Sequence, residues 1–175
     1  MSDEPEVPSA PIDKAKWGPG PWQDEPDRVE WEYQGYPCLM VRNPVLGNWC
    51  GYAAVPPGHP WHGKDANDLD VHAHGGVTFS SLCDGHICHV PKPGEPADVW
   101  WLGFDAGHAW DIVPGLESLF TRAGRSEEDR ELMSTLSEAC NRRYRTVDYI
   151  RAQVEGLADQ ARMVAADVVD LRSRR

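Results

Sequence analysis

The chain has 175 residues and a mass of 19.5 kDa, the size of one domain or of one domain with a tail. Hydrophobic residues make up 41% and charged residues 26%, which is typical of a globular protein and excludes wholesale disorder. No apolar run approaches about 18 residues, and the amino terminus lacks a basic and then apolar pattern. The sequence therefore predicts neither a transmembrane helix nor a secretory signal.

The charge balance and the cysteines restrict the possible partners and compartment. Lysine and arginine number 17 against 28 aspartates and glutamates, giving a formal net charge of -11 and a pI near 5.0. Because such a surface repels phosphate backbones and anionic lipids, we expect neither nucleic acid nor a membrane as a partner. The five cysteines are odd in number and unevenly spaced, which argues against a disulfide framework and favours a reducing cytosol.

The amino-terminal segment differs in composition from the rest of the chain. Residues 1–26 carry six of the fifteen prolines and an excess of acidic side chains, so we interpret them as an extended arm. We expect partial disorder before Trp17, while Trp17 and Trp22 could pin the arm to the domain surface. The single domain is then predicted to span residues 27–160, with residues 161–175 as a helical extension.

Apolar and polar residues alternate with period two from Val29 onward, which predicts half-buried β-strands. Gly35 separates the first two strands and predicts a hairpin. Proline- and glycine-containing segments separate the later ones. The predicted strands are Val29–Gln34, Tyr36–Arg42, Trp49–Val55, Val71–Ser80 and Val99–Phe104.

Helical patterns begin after Pro114. Ser126 is a predicted N-cap with acidic residues in the following turn, and an apolar stripe runs from Leu132 to Cys140. The clearest element is the last helix, Val147 to Leu171, with Thr146 as its N-cap. Because the strands come first and the helices last, we predict an α+β fold with a mainly antiparallel sheet and the C-terminal helices on one face.

The apolar stripe of the last helix is narrow and repeats about every 3.5 residues, as in a coiled-coil seam. Its second half would project beyond a domain of this size. We therefore expect a homodimer or higher oligomer through residues 161–175. The alternative is that the stripe folds back onto its own sheet or onto the helix near Glu127.

Two groups of residues could carry chemistry. In a strand, Asp70, His72 and His74 would share one face ahead of two glycines, either as a metal or acid/base surface or simply as a solvated edge.

The second group follows the strand predicted at 99–104. Asp105, His108 and Asp111 are spaced three apart, so one helical turn would place them together. They could bind a divalent cation or form a histidine base oriented by a carboxylate. They could equally cap a turn. We expect His74, Asp105, His108 and Asp111 to meet in one pocket, as candidate catalytic residues and candidate metal ligands.

Other motifs are weaker or missing. The segment 83–89 contains two cysteines and two histidines, but no second ligand pair follows it. His59 and His62 lie beside a proline and do not form a helical pair. We therefore interpret the segment as a hairpin tip rather than a structural zinc site. The sequence contains no glycine-rich phosphate loop and no Gly-x-Ser-x-Gly elbow.

Several phrases of the chain resemble a family of small uncharacterised proteins encoded by bacteriophages and prophages. The resemblance covers residues 50–160 and implies an accessory protein of the bacterial host cytoplasm, but no particular activity. Family members often carry a cysteine after the aspartate matching Asp105. Ala106 stands there in this chain, which argues against a cysteine nucleophile. Residues 162–175 extend beyond the usual family ending. The phrases are Cys50-Gly51-Tyr52 running to His59-Pro60, His74–Phe79, Trp101–Asp111, Tyr144-Arg145-Thr146, Tyr149-Ile150 and Leu157–Gln160.

Two main classes of function remain open from the sequence. The predicted pocket could belong to a small hydrolase, with or without a metal ion. It could instead bind a small molecule or a nucleotide signal without reaction, with tryptophans stacking on a planar ligand. A purely structural or interaction role is the third alternative. A bound metal would favour the enzyme, whereas an aromatic slot lined by arginine or lysine would favour the binding protein.

Overall fold

The computed structural model describes residues 11–84, 87–89, 91–121 and 126–173. Within these ranges the chain forms five strands, three α-helices and three short 3-10 helices. The strands are β1 Arg28–Tyr33, β2 Tyr36–Arg42, β3 Trp49–Val55, β4 Phe79–Ser81 and β5 Trp100–Asp105. The α-helices are α1 Pro114–Thr121, α2 Glu127–Ala139 and α3 Val147–Ser173, and the 3-10 helices are Lys14–Trp17, Pro21–Gln23 and Ala66–Asp68.

The strands form one sheet in the order β1-β2-β3-β5-β4, and every neighbouring pair is antiparallel. The β1–β2 hairpin turns at Gln34 and Gly35, whose φ angles of 54° and 82° are those of a tight hairpin turn. Both the predicted hairpin and the predicted α+β class are therefore confirmed.

One face of the sheet is covered by α3. Thr146 caps this helix, because its hydroxyl accepts a hydrogen bond from the Tyr149 backbone N–H at 3.3 Å. Gly51 on β3 allows close packing, since a Cβ there would lie 2.7 Å from a methyl of Val154. No described helix combines the length and the apolar character needed to cross a membrane. The buried side chains of α3 are Ile150, Val154, Leu157, Ala158 and Ala161.

The other two helices do not cover the sheet in the same way. The N-cap of α2 is as predicted, with the Ser126 hydroxyl accepting from the Asp129 backbone N–H at 3.1 Å. However, Leu132 is exposed, so the predicted apolar stripe does not bury this residue. α1 packs against the 3-10 helix Lys14–Trp17.

The opposite face of the sheet is covered by the loop that precedes β5. Ile87 and Val99 from this loop pack on Trp101 and its neighbours. The antiparallel bridge between Asp84 and Ile87 forms the predicted hairpin, and Cys83 and Cys88 are joined by a disulfide across it. One local disulfide is therefore present, although the number and spacing of the cysteines argued against a disulfide framework. The hairpin brings the two Cα atoms to 4.7 Å, which cysteine number and spacing alone do not reveal.

The predicted strand Val71–Ser80 is mostly a loop, and only Phe79–Ser81 pairs with the sheet. The physical reason is a side chain of α3 that replaces a strand partner. The Gln160 amide accepts from the His72 backbone N–H and donates to the His72 carbonyl, both at 2.8 Å. The backbone at residue 72 is thus satisfied without a β-ladder.

The described part of the amino-terminal segment is folded onto the domain rather than extended. Trp17 and Trp22 are both buried, and the Trp17 indole donates to the Val45 carbonyl at 3.2 Å. The two tryptophans therefore fix the segment, as the sequence suggested. The disorder expected before Trp17 falls partly on residues 1–10, which lie outside the described residues.

A buried arginine joins this segment to the sheet. The Arg42 side chain is fully buried and pairs with Glu25 at 2.7 Å and with Asp27 at 3.3 Å. It also donates to the Tyr144 hydroxyl at 3.1 Å, and its guanidinium lies 4.1 Å from the Trp49 ring centroid. Arg42 therefore holds together the amino-terminal segment, the sheet and the chain before α3.

The structure describes only part of the seam proposed for oligomer formation. Val164 is half-buried against the core, whereas Met163 is exposed. The side chains from residue 168 onward lie outside the described part of the chain. The oligomer therefore stays a prediction.

Candidate functional site

The candidate site is centred on the carboxylate of Asp111, which is only 1% exposed. Its Oδ2 atom accepts from His74 Nε2 at 2.8 Å and from both the backbone N–H and Nδ1 of His108, at 3.0 and 3.2 Å. Its Oδ1 atom accepts from Arg145 Nε at 2.7 Å. Four donors from three segments of the chain thus converge on one buried carboxylate.

A turn after β5 brings His108 and Asp111 together. The strand ends at Asp105, and the Ala106 backbone N–H then donates to the Trp49 carbonyl at 2.8 Å. The Asp111 backbone N–H donates to the His108 carbonyl at 2.9 Å, which closes a single turn. The spacing of three residues therefore places the two side chains side by side, as the sequence predicted.

Arg145 lies in the segment that immediately precedes α3. Arg143 lies along the chain at Trp110–Ile112, because its backbone N–H donates to the Trp110 carbonyl at 3.1 Å and its carbonyl accepts from the Ile112 N–H at 2.9 Å. Two residues further on, Arg145 reaches Asp111, and its guanidinium also lies 4.8 Å from the Tyr149 ring centroid.

His74 links Asp111 to the start of α3. The imidazole is buried, and its Nδ1 atom lies 2.9 Å from the hydroxyl of Tyr149. Because an ionised carboxylate only accepts, Nε2 of His74 donates to Asp111, and in the neutral ring Nδ1 accepts from the Tyr149 hydroxyl. The three side chains form a continuous hydrogen-bonded chain.

Asp111 remains ionised despite its burial. Burial by itself would raise the pKa of this carboxyl, but hydrogen bonds from Arg145, His74 and the His108 backbone N–H bring the pKa below its ordinary value. The positive charge of Arg145 balances the negative charge of Asp111, so the centre is neutral when both imidazoles are neutral.

Among His74, His108 and Asp111, His108 is the most accessible, with 22% of its side chain exposed. Its ring stacks on Trp110 with a centroid distance of 4.9 Å and an interplanar angle of 3°. The Nε2 edge of the ring is covered by Gly75, where a Cβ would lie 2.1 Å from Nε2. The glycine after His74 is therefore required by the close approach of the backbone to the imidazole.

Gly75→Ala is expected to destabilise the protein more than Gly76→Ala. Both glycines have positive φ angles, 69° and 95°, so each substitution strains the backbone by about 1 kcal/mol. Only at Gly75 does the new methyl also overlap His108, which adds roughly 1–3 kcal/mol of overpacking. Urea unfolding of the two variants measures the difference, and equal losses would contradict this account of Gly75.

The structure brings together three of the four residues predicted to form one pocket. His74, His108 and Asp111 have potential ligand atoms within 4.8 Å of one another. Asp105 is not among them, because its carboxylate turns back to accept from the Gly107 backbone N–H at 2.9 Å. The expectation that Asp105 joins the cluster is therefore wrong.

The structure also separates the other predicted group, Asp70, His72 and His74. Asp70 and His72 are exposed, whereas His74 is buried in the site. Since residues 71–78 form a loop and not a strand, alternation no longer places these side chains on one face, and His74 does not lie at a strand end.

Two further residues of the site, Arg145 and Tyr149, were assigned no role from the sequence. Their spacing of four residues at the start of α3 was the one pattern that could have indicated that their side chains lie together.

The arrangement has two chemical interpretations. Two imidazoles and one carboxylate are a donor set that suits divalent zinc or iron. Alternatively, the same groups form a complete hydrogen-bonded network around Asp111, with Tyr149 and Arg145 at its ends.

Comparison with known proteins finds no family model, no curated protein and no solved structure that matches the chain. The resemblance to phage and prophage proteins therefore stays a prediction.

Proposed function

We propose that the protein is a small hydrolase that uses a divalent cation bound by His74, His108 and Asp111. The observation that carries this proposal is the spacing of the ligand atoms. Oδ2 of Asp111 lies 2.8 Å from His74 Nε2 and 3.2 Å from His108 Nδ1. Ligands bonded to one ion at about 2.0–2.2 Å are separated by roughly 2.8–3.1 Å in octahedral geometry and by roughly 3.3–3.6 Å in tetrahedral geometry.

The contacts behind these ligands support the same function. Metal-binding histidines and carboxylates are usually oriented by a second hydrogen bond on the side away from the ion. Tyr149 occupies that position for His74, and Arg145 occupies it for Asp111. Stacking on Trp110 and the cover by Gly75 hold the ring of His108.

A cation held there would polarise a bound water and a substrate oxygen, which is the chemistry that hydrolysis at neutral pH requires. The water oxygen bonds to the electrophilic atom of the substrate, the bond to the leaving group breaks, and the leaving group gains the proton that the water releases. Substrate would approach from the side of His108 and Trp110, because His74 and Asp111 are buried.

The charge of the centre favours a negatively charged substrate. Arg145 already balances Asp111 at 2.7 Å, and neutral imidazoles add no charge. A divalent cation would therefore leave the centre with excess positive charge, which an anionic substrate group would compensate.

Metal analysis and a hydrolysis assay test the proposal together. We expect purified protein to retain a stoichiometric divalent cation in elemental analysis and to hydrolyse chromogenic carboxylate or phosphate esters. His74→Ala should lose both properties. The matched control is His72→Ala, which removes an exposed imidazole two residues away. The proposal fails if wild-type protein binds no cation after incubation with zinc, manganese, nickel or iron(II), or if chelation leaves hydrolysis unchanged.

A second candidate is a protein that binds a small molecule without reaction. It is favoured by the fact that Asp111 already accepts four hydrogen bonds without any cation. The network would then hold His108 and Trp110 in place, and the ligand would bind to the exposed side of Trp110. Ligand binding that persists in a chelator, with no hydrolysis, would support this alternative. For either function, the phage-family resemblance leads us to propose an accessory role in the cytoplasm of a bacterial host.

A further inference from the structure

We infer that the site takes a small phosphorylated aromatic molecule, such as a nucleoside monophosphate. Its aromatic ring would stack on Trp110, and its phosphate would lie between Arg143 and the proposed cation. This inference names the substrate class of the proposed hydrolase and rests on that function.

The first observation is the exposure of Trp110. This indole is 45% exposed although it stacks on His108 with nearly parallel planes. A large apolar ring held rigidly at the surface gives a planar ligand an ordered surface to stack on. Because the stacking partner is a residue of the site itself, the ring of a bound ligand would lie beside the proposed reaction centre.

The second observation is an uncompensated arginine beside this tryptophan. Arg143 is bonded to Trp110 through the backbone at 3.1 Å, and its side chain is exposed. Its guanidinium donates to Asn141 Oδ1 at 3.3 and 3.4 Å and has no carboxylate partner among the described residues. A planar guanidinium in this position is suited to bind phosphate oxygens.

The neighbouring arginines, Arg142 and Arg145, already form ion pairs within the protein. Arg142 pairs with Glu117 at 2.5 Å and donates to the Asp111 carbonyl at 3.1 Å. Arg145 pairs with the Asp111 carboxylate. These two arginines neutralise Glu117 and Asp111, whereas the exposed Glu138 and Asp148, each five residues from Arg143 along the chain, form no ion pair with it.

Arg143 is thus a cation without a carboxylate partner among the described residues, in a chain whose net charge is -11. An aromatic surface alone would suit many planar ligands, and an arginine alone would suit many anions. Their placement side by side, next to a centre that favours an anionic substrate, selects a ligand that combines both features. A nucleoside monophosphate is the simplest molecule of that kind.

Calorimetric titration of the full chain tests the inference. The probes are adenosine 5′-monophosphate, adenosine and ribose 5-phosphate, each measured in protein loaded with the cation and in chelator-treated protein. We expect the monophosphate to bind at least about fivefold more tightly than either fragment, because each fragment lacks one of the two contacts.

The variants Trp110→Ala and Arg143→Gln should each weaken binding of the monophosphate at least about fivefold, and Arg143→Gln should do so while retaining the cation. The matched controls are Trp100→Ala, which removes a second tryptophan adjacent to a histidine, and Arg162→Gln, which removes an exposed arginine further along α3. Both controls should bind the monophosphate as the wild type does.

The possible failures are distinguishable. If the protein holds its cation and hydrolyses neutral esters but binds none of the three probes, the substrate class is wrong and the hydrolase stands. If binding of the monophosphate is equal in wild type and in both site variants, the inference is also overturned. If no cation binds but the monophosphate still requires Trp110 and Arg143, the ligand class stands and the hydrolase fails.

Discussion

Replacing Asp111 with alanine is expected to lower the free energy of unfolding by about 3 kcal/mol or more and to abolish cation binding. The carboxylate is completely buried and accepts from His74, His108 and Arg145. Removing it leaves the guanidinium of Arg145, only 18% exposed, without its counter-charge, and leaves three further donors without an acceptor.

Urea unfolding measures this loss, and the control is Asp105→Ala. Both aspartates belong to the same sequence motif, but Asp105 accepts a single local hydrogen bond from Gly107. We expect its removal to cost about 1 kcal/mol. Equal losses for the two variants would contradict the central role assigned to Asp111. Adding Arg145→Met to Asp111→Ala should recover part of the stability, because it removes the unpaired charge.

The second large effect is expected at Arg42. Arg42→Met should lower the free energy of unfolding by about 3–5 kcal/mol, because it breaks a buried ion pair from one side. The Glu25 and Asp27 carboxylates would lose their common partner, and the Gly47 carbonyl would lose the hydrogen bond that it now accepts at 2.8 Å. Since the amino-terminal segment depends on this contact, it should also become more sensitive to proteolysis.

The appropriate control is Arg130→Met. Arg130 pairs with Glu127 at 3.5 Å on the exposed surface of α2, and such pairs contribute less than about 1 kcal/mol. A small change for Arg42→Met, comparable to that of the control, would be inconsistent with a structural role for the buried network. The double variant Arg42→Met with Glu25→Gln should cost less than the sum of the two single changes, because both act on the same ion pair.

Local patterns in the sequence determined most of the fold. Alternating residues and turn signals predicted β2 and β3 with their observed bounds, and β1 and β5 to within one residue at each end. The caps Ser126 and Thr146 marked the starts of α2 and α3. These features depend on residues a few positions apart, whose preferences are expressed before the rest of the chain is considered.

The part of the site that could be predicted also depends on residues close together in the sequence. The spacing between His108 and Asp111 places them on one turn wherever that turn lies, so their meeting followed from the sequence. Asp105 has the same spacing from His108, but it belongs to the end of β5, where the chain leaves the strand. Spacing could not reveal that its carboxylate would turn back to Gly107.

Only the tertiary structure decided how His74, Arg145 and Tyr149 meet Asp111. They come from a loop, the chain before α3 and the first turn of α3, and they converge because α3 packs on the sheet and its Gln160 holds the loop backbone at His72. The Cys83–Cys88 bond likewise requires the hairpin that aligns the two residues. Contacts between segments distant in sequence depend on packing of the whole chain, and no short-range periodicity encodes them.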